Sequence, residues 1–211
     1  MPEQKDKKGF VPEHYDPVEY WNTRKQPNTA KAPGVSQNHA DFFRKHTPLD
    51  APAILELGPG VGRLFSIYKS ARDGVFDTLD LTRQHEQTID RAAEEQSLSV
   101  RQHFITEADA SFPFADQQFD VGVSSFVFIH VPFEYIRHSM SEMARTCRNV
   151  VVFASDDPAW PKTEAERKPS THVFGHDYVR LCEELNLVLH ERALYPSHLG
   201  INSVALCYGR A

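Results

Sequence analysis

The 211-residue chain has few cysteines: Cys147, Cys182 and Cys207 stand far apart, odd in number and without a CxxC pair. That spacing argues against a zinc site and against a secreted disulfide framework. Long apolar runs are also missing. None approaches the ~20 residues a helical membrane span requires, and the opening "MPEQKDKKGF" lacks the apolar core of a signal peptide. Basic residues are outnumbered, 23 Lys and Arg against 29 Asp and Glu, for a formal net charge of −6. That balance argues against nucleic acid as a partner, since broad phosphate binding needs clustered cations. The expectation is a cytoplasmic protein with no membrane partner. Glycine is sparse too, with ten in all, yet three fall within five residues in "ILELGPGVGRL" (54–64). The questions are why side chains are given up there, and what occupies the space.

No internal repeat interrupts the chain, and its length suits one domain with a sizeable core. The segment 1–50 reads as an N-terminal cap, rich in aromatics, Asn, Pro and His, with helical pieces at 17–25 and 36–45. Ser36 is the N-cap candidate for the second piece. From residue 51 to 211 strands and helices alternate. Apolar runs at 53–57, 75–81, 100–108, 119–126 and 149–155 read as strands, and stretches near 62–72, 83–97, 132–147 and 175–186 as helices. Nearly continuous apolar strands separated by helices indicate a parallel sheet covered on both faces. The terminal runs "LVLHERALYP" and "INSVALCYGR" are joined so briefly that they must pair antiparallel. The predicted fold is therefore α/β: a Rossmann-like three-layer sandwich on a seven-stranded, mostly parallel sheet with a C-terminal antiparallel hairpin strand.

In such a sheet a ligand sits beyond the carboxyl ends of the strands, where the strand order reverses. Gly58, Gly60 and Gly62 follow the first strand, and missing Cβ atoms let the backbone bend sharply and approach a ligand. The pattern is GxGxG behind the carboxylate of Glu56. A pyrophosphate on GxGxxG would be repelled there, whereas a ligand presenting an amino group is suited. Asp80 closes the second strand about 20 residues later, where a carboxylate can bridge ribose hydroxyls. Asp109 follows the third strand and can accept from an adenine amino group. Each acid read singly is equally well a helix N-cap or a loop residue. Three acids at the ends of consecutive strands point instead to an adenosine that bears an amino acid.

The phrases "ILELGPGVGRL", "LDLT" and "EADASFPFADQQFDVGVSSFVFIHV", with the terminal hairpin, resemble a class I S-adenosylmethionine-dependent methyltransferase, nearest to the small type 11 group. The resemblance covers about residues 51 to 210. It implies that Glu56, Gly58, Gly60 and Gly62 line the methionine part of S-adenosylmethionine, and that the product is S-adenosylhomocysteine. It further implies that Asp80, beside Leu81, holds the ribose, that Asp109 and Ala110 hold the adenine, and that Ser124 and Ser125 border the transferred methyl group. Many relatives carry a Pro-Gly-Gly turn before the fifth strand, where this chain reads "MARTCRNVVVFA".

The expected acceptor is a small molecule methylated on oxygen or nitrogen. An Asn/Asp-Pro-Pro-Tyr segment for amide methylation is replaced here by "SSFVFIHVP". Magnesium chemistry would need acids after the fourth strand to partner Asp156 and Asp157, so no metal is expected. His130 reads either as a base for the attacking atom or as a packing or capping histidine. Tyr15, Tyr20, Trp21 and Arg24 read either as a lid over donor and acceptor or as a staple that fastens the cap to the sheet. His172 and His176 read as solvated or loop histidines rather than as a metal pair. Two other functions compete: a non-catalytic protein that binds S-adenosylmethionine or S-adenosylhomocysteine, and a nicotinamide oxidoreductase. The glycine spacing disfavours the latter.

Overall fold

The computed structural model describes residues 15–23, 36–47, 50, 52–69, 71–107, 109–168, 172–195 and 202–211. Seven strands make one sheet: β1 (Ile54–Leu57), β2 (Val75–Asp80), β3 (Ser99–Ile105), β4 (Phe119–Ser125), β5 (Cys147–Asp156), β6 (Leu187–Tyr195) and β7 (Asn202–Arg210). Their order is β3-β2-β1-β4-β5-β7-β6. The first five are parallel, and β7 runs antiparallel to both of its neighbours, as the sequence predicts. Strand order reverses between β1 and β4, so the chain leaves β1 toward one edge and returns to its other side. The crevice beyond Leu57 and Ser125 is where such a sheet seats a ligand.

Among the described residues five α-helices accompany the sheet: α1 (Pro17–Thr23), α2 (Gln37–His46), α3 (Glu86–Glu94), α4 (Phe133–Thr146) and α5 (Tyr178–Glu184). Alternation along each strand separates two cores. Val121, Val123, Val151 and Phe153 face the layer of α2 and α3, with Phe42, Phe43 and Ile89. Val150, Val152, Leu206 and Tyr208 face α4 and α5, with Met140, Met143 and Leu181. The central strands are apolar on both faces because both faces are covered, and all four residues of β1 are buried. The Ser36 side chain accepts from the backbone N–H of His39 at 3.3 Å, so it is the N-cap of α2. α2 then packs on β5 and β7 within one layer of the sandwich.

The sequence expectation fails at 62–72. No α-helix forms among the described residues there. Turns run from Gly60 to Leu64 and end in a single 3₁₀ turn at Phe65–Ile67. Backbone bonds from Gly62 to Pro59, Phe65 to Gly62, Ile67 to Leu64 and Tyr68 to Phe65 all span three residues. Three glycines held at positive φ turn the chain too tightly for an α-helical ladder, and Phe65 and Tyr68 then bury completely in the α2–α3 core. The departure before β5 has an equally local cause. α4 passes from Thr146 directly into β5 at Cys147, leaving no connecting residue for a Pro-Gly-Gly turn.

Candidate active site

The turn after β1 is set by its glycines. Gly58, Gly60 and Gly62 have φ of 60°, 57° and 77°, a region that side chains disfavour. Gly58 N–H donates to Leu79 O at 2.8 Å, fastening the turn to the end of β2. A Cβ on Gly58 would lie 2.6 Å from Val127 Cγ2, and one on Gly62 would lie 2.5 Å from the Phe65 ring. At Gly60 the same atom would meet nothing within 4 Å. Two glycines thus serve packing, and the middle one faces open space at the crevice.

Glu56 sits beneath this turn, 1% exposed, and its Oε2 has no hydrogen-bond partner among the described residues. Burial pushes its carboxyl up to about 8, against the opposing pull of Tyr68 and Arg63. The Tyr68 hydroxyl lies beside it but closes no hydrogen bond of ordinary geometry. Ser124 Oγ and Ser125 Oγ, at the end of β4, are likewise buried without partners among the described residues. Buried polar atoms are normally satisfied, because stranding one costs about 1–3 kcal/mol. Glu56 and Ser125 share one face at the ends of neighbouring strands and match a ligand that presents hydrogen-bonding groups there, whereas Ser124, level with Leu57, is on the α4 face. An ammonium group is what an isolated buried carboxylate needs. Arg63, half-buried, places its guanidinium 5.0 Å from the Phe126 ring centre, and Phe126 itself holds a φ of 58° at the crevice. On its far side His39, 4.4 Å from the Phe153 ring, is pushed down to about 4 by burial and by Arg63, and bonds Ser203 Oγ at 2.7 Å.

Asp80 ends β2 with Oδ1 accepting from the backbone N–H groups of Leu81 (2.7 Å) and Thr82 (3.3 Å). Burial pushes its carboxyl up to about 6, and these two bonds oppose the rise. Asp109 is exposed, in a turn that α4 braces. His138 Nε2 lies 2.9 Å from Ala110 O, and Glu142 Oε2 accepts from Phe112 N–H at 2.7 Å. Arg145 reaches the carbonyls of Phe112 (2.9 Å) and Phe114 (2.7 Å) while pairing with Glu142. The loop after β3 is irregular, yet its backbone is held at several points.

Between these loops lies a cleft with about 490 Å³ of empty space, solvent at its mouth included, lined chiefly by apolar atoms of Leu57, Leu81, Phe112, Val127, Val131 and Trp21. Its opposite wall is the cap: α1 contributes Pro17 and Trp21. The Tyr15 hydroxyl donates to His130 O at 2.8 Å, and the Trp21 and His130 rings meet edge-on at 5.0 Å. At its other end α1 is tied to the loop after β2. With its amide nitrogen turned toward the helix, Gln84 donates to Trp21 O at 2.7 Å and Asn22 O at 3.3 Å. The helix therefore straps the crevice from the end of β4 to the end of β2. His130 Nδ1 lies 2.7 Å from His172 O, which makes it the donor and puts the neutral ring's lone pair on Nε2.

The structure brings Glu56, the glycine turn, Asp80, Leu81, Ser124, Ser125 and His130 to one edge, with Tyr15, Tyr20 and Trp21 above it. Arg24 lies outside the described residues. His172 and His176 are loop residues as expected, but they are half-buried rather than solvated. His172 stacks on Tyr20 at 5.1 Å and on His130 at 6.0 Å. Burial pushes His176 down to about 4. Among the described residues, no three His, Cys, Asp or Glu converge as metal ligands, and no helix is long and apolar enough to cross a membrane. Sequence reasoning passed over Arg63, Tyr68, Gln84, Thr106 and Glu107. Only Arg63 carried a signal, since it directly follows the third glycine.

Residues 54–149 match the family model of a methyltransferase domain. Among curated proteins none matches significantly. Solved structures that share the fold include geranyl diphosphate C-methyltransferase from Streptomyces coelicolor, bound to S-adenosylhomocysteine. It is 14% identical over 92% of this chain and 97% of that one, with a TM-score of 0.63. Magnesium protoporphyrin IX methyltransferase from Synechocystis, bound to S-adenosylmethionine, is 14% identical over 82% and 76%, at 0.58. The cyclase SpnF is 12% identical over 88% and 86%, at 0.66. Residues 54–149 thus carry a methyltransferase domain, and the chain shares the fold of these methyltransferase structures.

Proposed function

We propose that the protein transfers a methyl group from S-adenosylmethionine to an oxygen or nitrogen atom of a small molecule, held between the α1 cap and the loops after β4 and β5. The observation that carries this reading is the buried, unpartnered Glu56 Oε2 beneath a glycine turn with open space at Gly60. Bound S-adenosylmethionine supplies a methyl group already activated on a sulfonium. Glu56 holds the amino-acid end, Gly58 to Gly62 give it room, Ser124 and Ser125 border the transferred methyl group, and Asp80 accepts from the ribose hydroxyls. Leu81, Phe112 and Val127 enclose the adenine, with Asp109 and Ala110 at its rim. Trp21 and Tyr20 exclude water and fix the line of approach. His130 Nε2 takes the proton of the attacking atom. Arg24, which lies outside the described residues, is kept as the group to grip an acceptor carboxylate.

A second reading keeps the donor seat without methyl transfer, and the cyclase neighbour favours weighing it. The two separate in one assay. Incubation with methyl-labelled S-adenosylmethionine and fractionated metabolite extract releases S-adenosylhomocysteine and a labelled product if transfer occurs. Donor binding without any extract-dependent release supports the second reading.

A further inference from the structure

A second cleft opens at the same edge of the sheet, with about 860 Å³ of empty space at the ends of β5 and β6 and the start of α5. It is polar where the donor cleft is apolar: Asp156, Lys162, His176, Asp177, Tyr178 and Arg192 line it. Its charges are mostly committed. Lys162 Nζ pairs with Asp156 at 2.9 Å and lies across Gly175, where a Cβ would come within 2.5 Å of Nζ. Asp177 Oδ1 caps α5 by accepting from Arg180 N–H at 3.1 Å. His176 is neutral near pH 7. Two groups are left over. Among the described residues Arg192 has no ion pair, and the buried Tyr178 hydroxyl has no hydrogen-bond partner.

The two clefts are separated by one strand of chain. Segment 172–177 carries His172 against His130 on the donor side, and Gly175, His176 and Asp177 on the polar side. Phe174 N–H donates to Ile129 O and Gly175 N–H to Pro161 O, both at 2.8 Å. His176 Nε2 lies 2.9 Å from Val131 O, and Val131 lines the donor cleft. His176, which lines the polar cleft, thus touches a wall residue of the donor cleft, so the two clefts are neighbours across this segment.

We infer that the polar cleft holds the acidic tail of the methyl acceptor, a small carboxylic acid whose carboxylate bonds Arg192 and Lys162. Arginine presents a planar fork that matches a carboxylate, and Lys162 can turn from Asp156 toward it. Asp156 and Asp177 offset the two cations, so a dianionic phosphate leaves twice the excess negative charge of a single carboxylate and is held less well. Asp156, relieved of its lysine, then accepts from a hydroxyl or amino group on the acid. This inference rests on the methyltransferase reading for the acceptor's other end, but the cleft is tested without it.

The probes are glycolate, 3-hydroxybutyrate and 4-hydroxybenzoate, each beside its neutral amide, together with inorganic phosphate. Binding is read by saturation-transfer NMR and calorimetry on the full chain, with and without S-adenosylhomocysteine. At least one acid should bind, its amide at least about tenfold more weakly, and phosphate more weakly than the acid. Arg192→Gln and Lys162→Gln, both surface changes, should each weaken the acid about tenfold or more and leave S-adenosylhomocysteine affinity within about twofold. No acid binding to the wild type, phosphate binding tighter than every acid, or acid binding unchanged in both variants overturns the inference. Failure of S-adenosylhomocysteine to bind the wild type removes the donor reading instead, whatever the acids do.

Discussion

A carboxyl group that is 1% exposed with one oxygen unpartnered is a standing cost to the unliganded fold, and Glu56 accepts that cost at the carboxyl end of β1. With its carboxyl pushed up to about 8, Glu56 is mostly protonated at neutral pH. An ammonium group needs the ionised form, so donor binding should expel a proton. The sign follows from linkage: an acid whose folded value lies above its unfolded one destabilises the fold as pH rises from about 4.5 to about 8. S-adenosylhomocysteine affinity should therefore rise from pH 6 to 8, with close to one proton released at pH 7. Calorimetry in buffers of different ionisation enthalpy measures this directly. Glu56→Gln should lose that proton, fold at least as stably as wild type at pH 8, and bind S-adenosylhomocysteine at least about tenfold more weakly. Proton release that survives in Glu56→Gln removes Glu56 from the donor seat.

Gly58 and Gly60 give a second contrast at the same scale. Gly58→Ala forces Cβ against Val127 at positive φ, so a loss of stability of about 2 kcal/mol or more is expected. Gly60→Ala meets no atom and should cost only about 1 kcal/mol for its left-handed backbone. If the donor occupies that space, Gly60→Ala keeps its fold and loses S-adenosylhomocysteine binding. Thermal unfolding and titration of the two proteins separate packing from ligand contact. Undiminished binding by a folded Gly60→Ala protein means the space belongs to something else.

At the scale of elements, α1 is the piece whose role the sheet does not dictate. It is held by Tyr15 to His130, by Trp21 on the His130 ring and by Gln84 to the carbonyls of its last turn. A seven-residue helix has little stability of its own, so these ties decide whether it is closed. Proteolysis between Tyr15 and Lys31 should slow markedly with S-adenosylhomocysteine. Removal of residues 1–30 should abolish transfer and weaken donor binding while the core stays folded. Equal cleavage with and without ligand, and full activity after truncation, reduces α1 to packing.

Elements also divide what the sequence reveals from what it hides. β1, β4 and β5 were readable because burial on both faces leaves uninterrupted apolar runs. α4 was readable because Ile136, Met140 and Met143 recur at helical spacing on one face. The segment after Gly58 was misread as a helix, since the apolar spacing of Leu64, Phe65 and Tyr68 fits three-residue turns as well. The positions of Glu56 and Asp80 at the carboxyl ends of their strands were legible because each closes or nearly closes an apolar run. The stack of Tyr20, His172 and His130 was not, because it joins residues up to 152 positions apart that no local pattern connects.

In the whole molecule an apolar cleft, a helix strapped across it and a polar cleft beyond lie at one edge of one sheet. Ligand that binds only the folded state stabilises it by about 2.7 kcal/mol at one hundred times its Kd. S-adenosylhomocysteine should thus raise the unfolding temperature, and by more at pH 8 than at pH 6 because a larger share of Glu56 is ionised at the higher pH. The most direct test of the central claim is calorimetric titration of the wild type and Asp80→Ala with S-adenosylhomocysteine and with NAD. The account predicts binding on the micromolar scale for S-adenosylhomocysteine, none for NAD, and a loss in Asp80→Ala of about 1.5–3 kcal/mol, roughly ten- to hundredfold. Binding of NAD, or unchanged S-adenosylhomocysteine affinity in a folded Asp80→Ala protein, would contradict it.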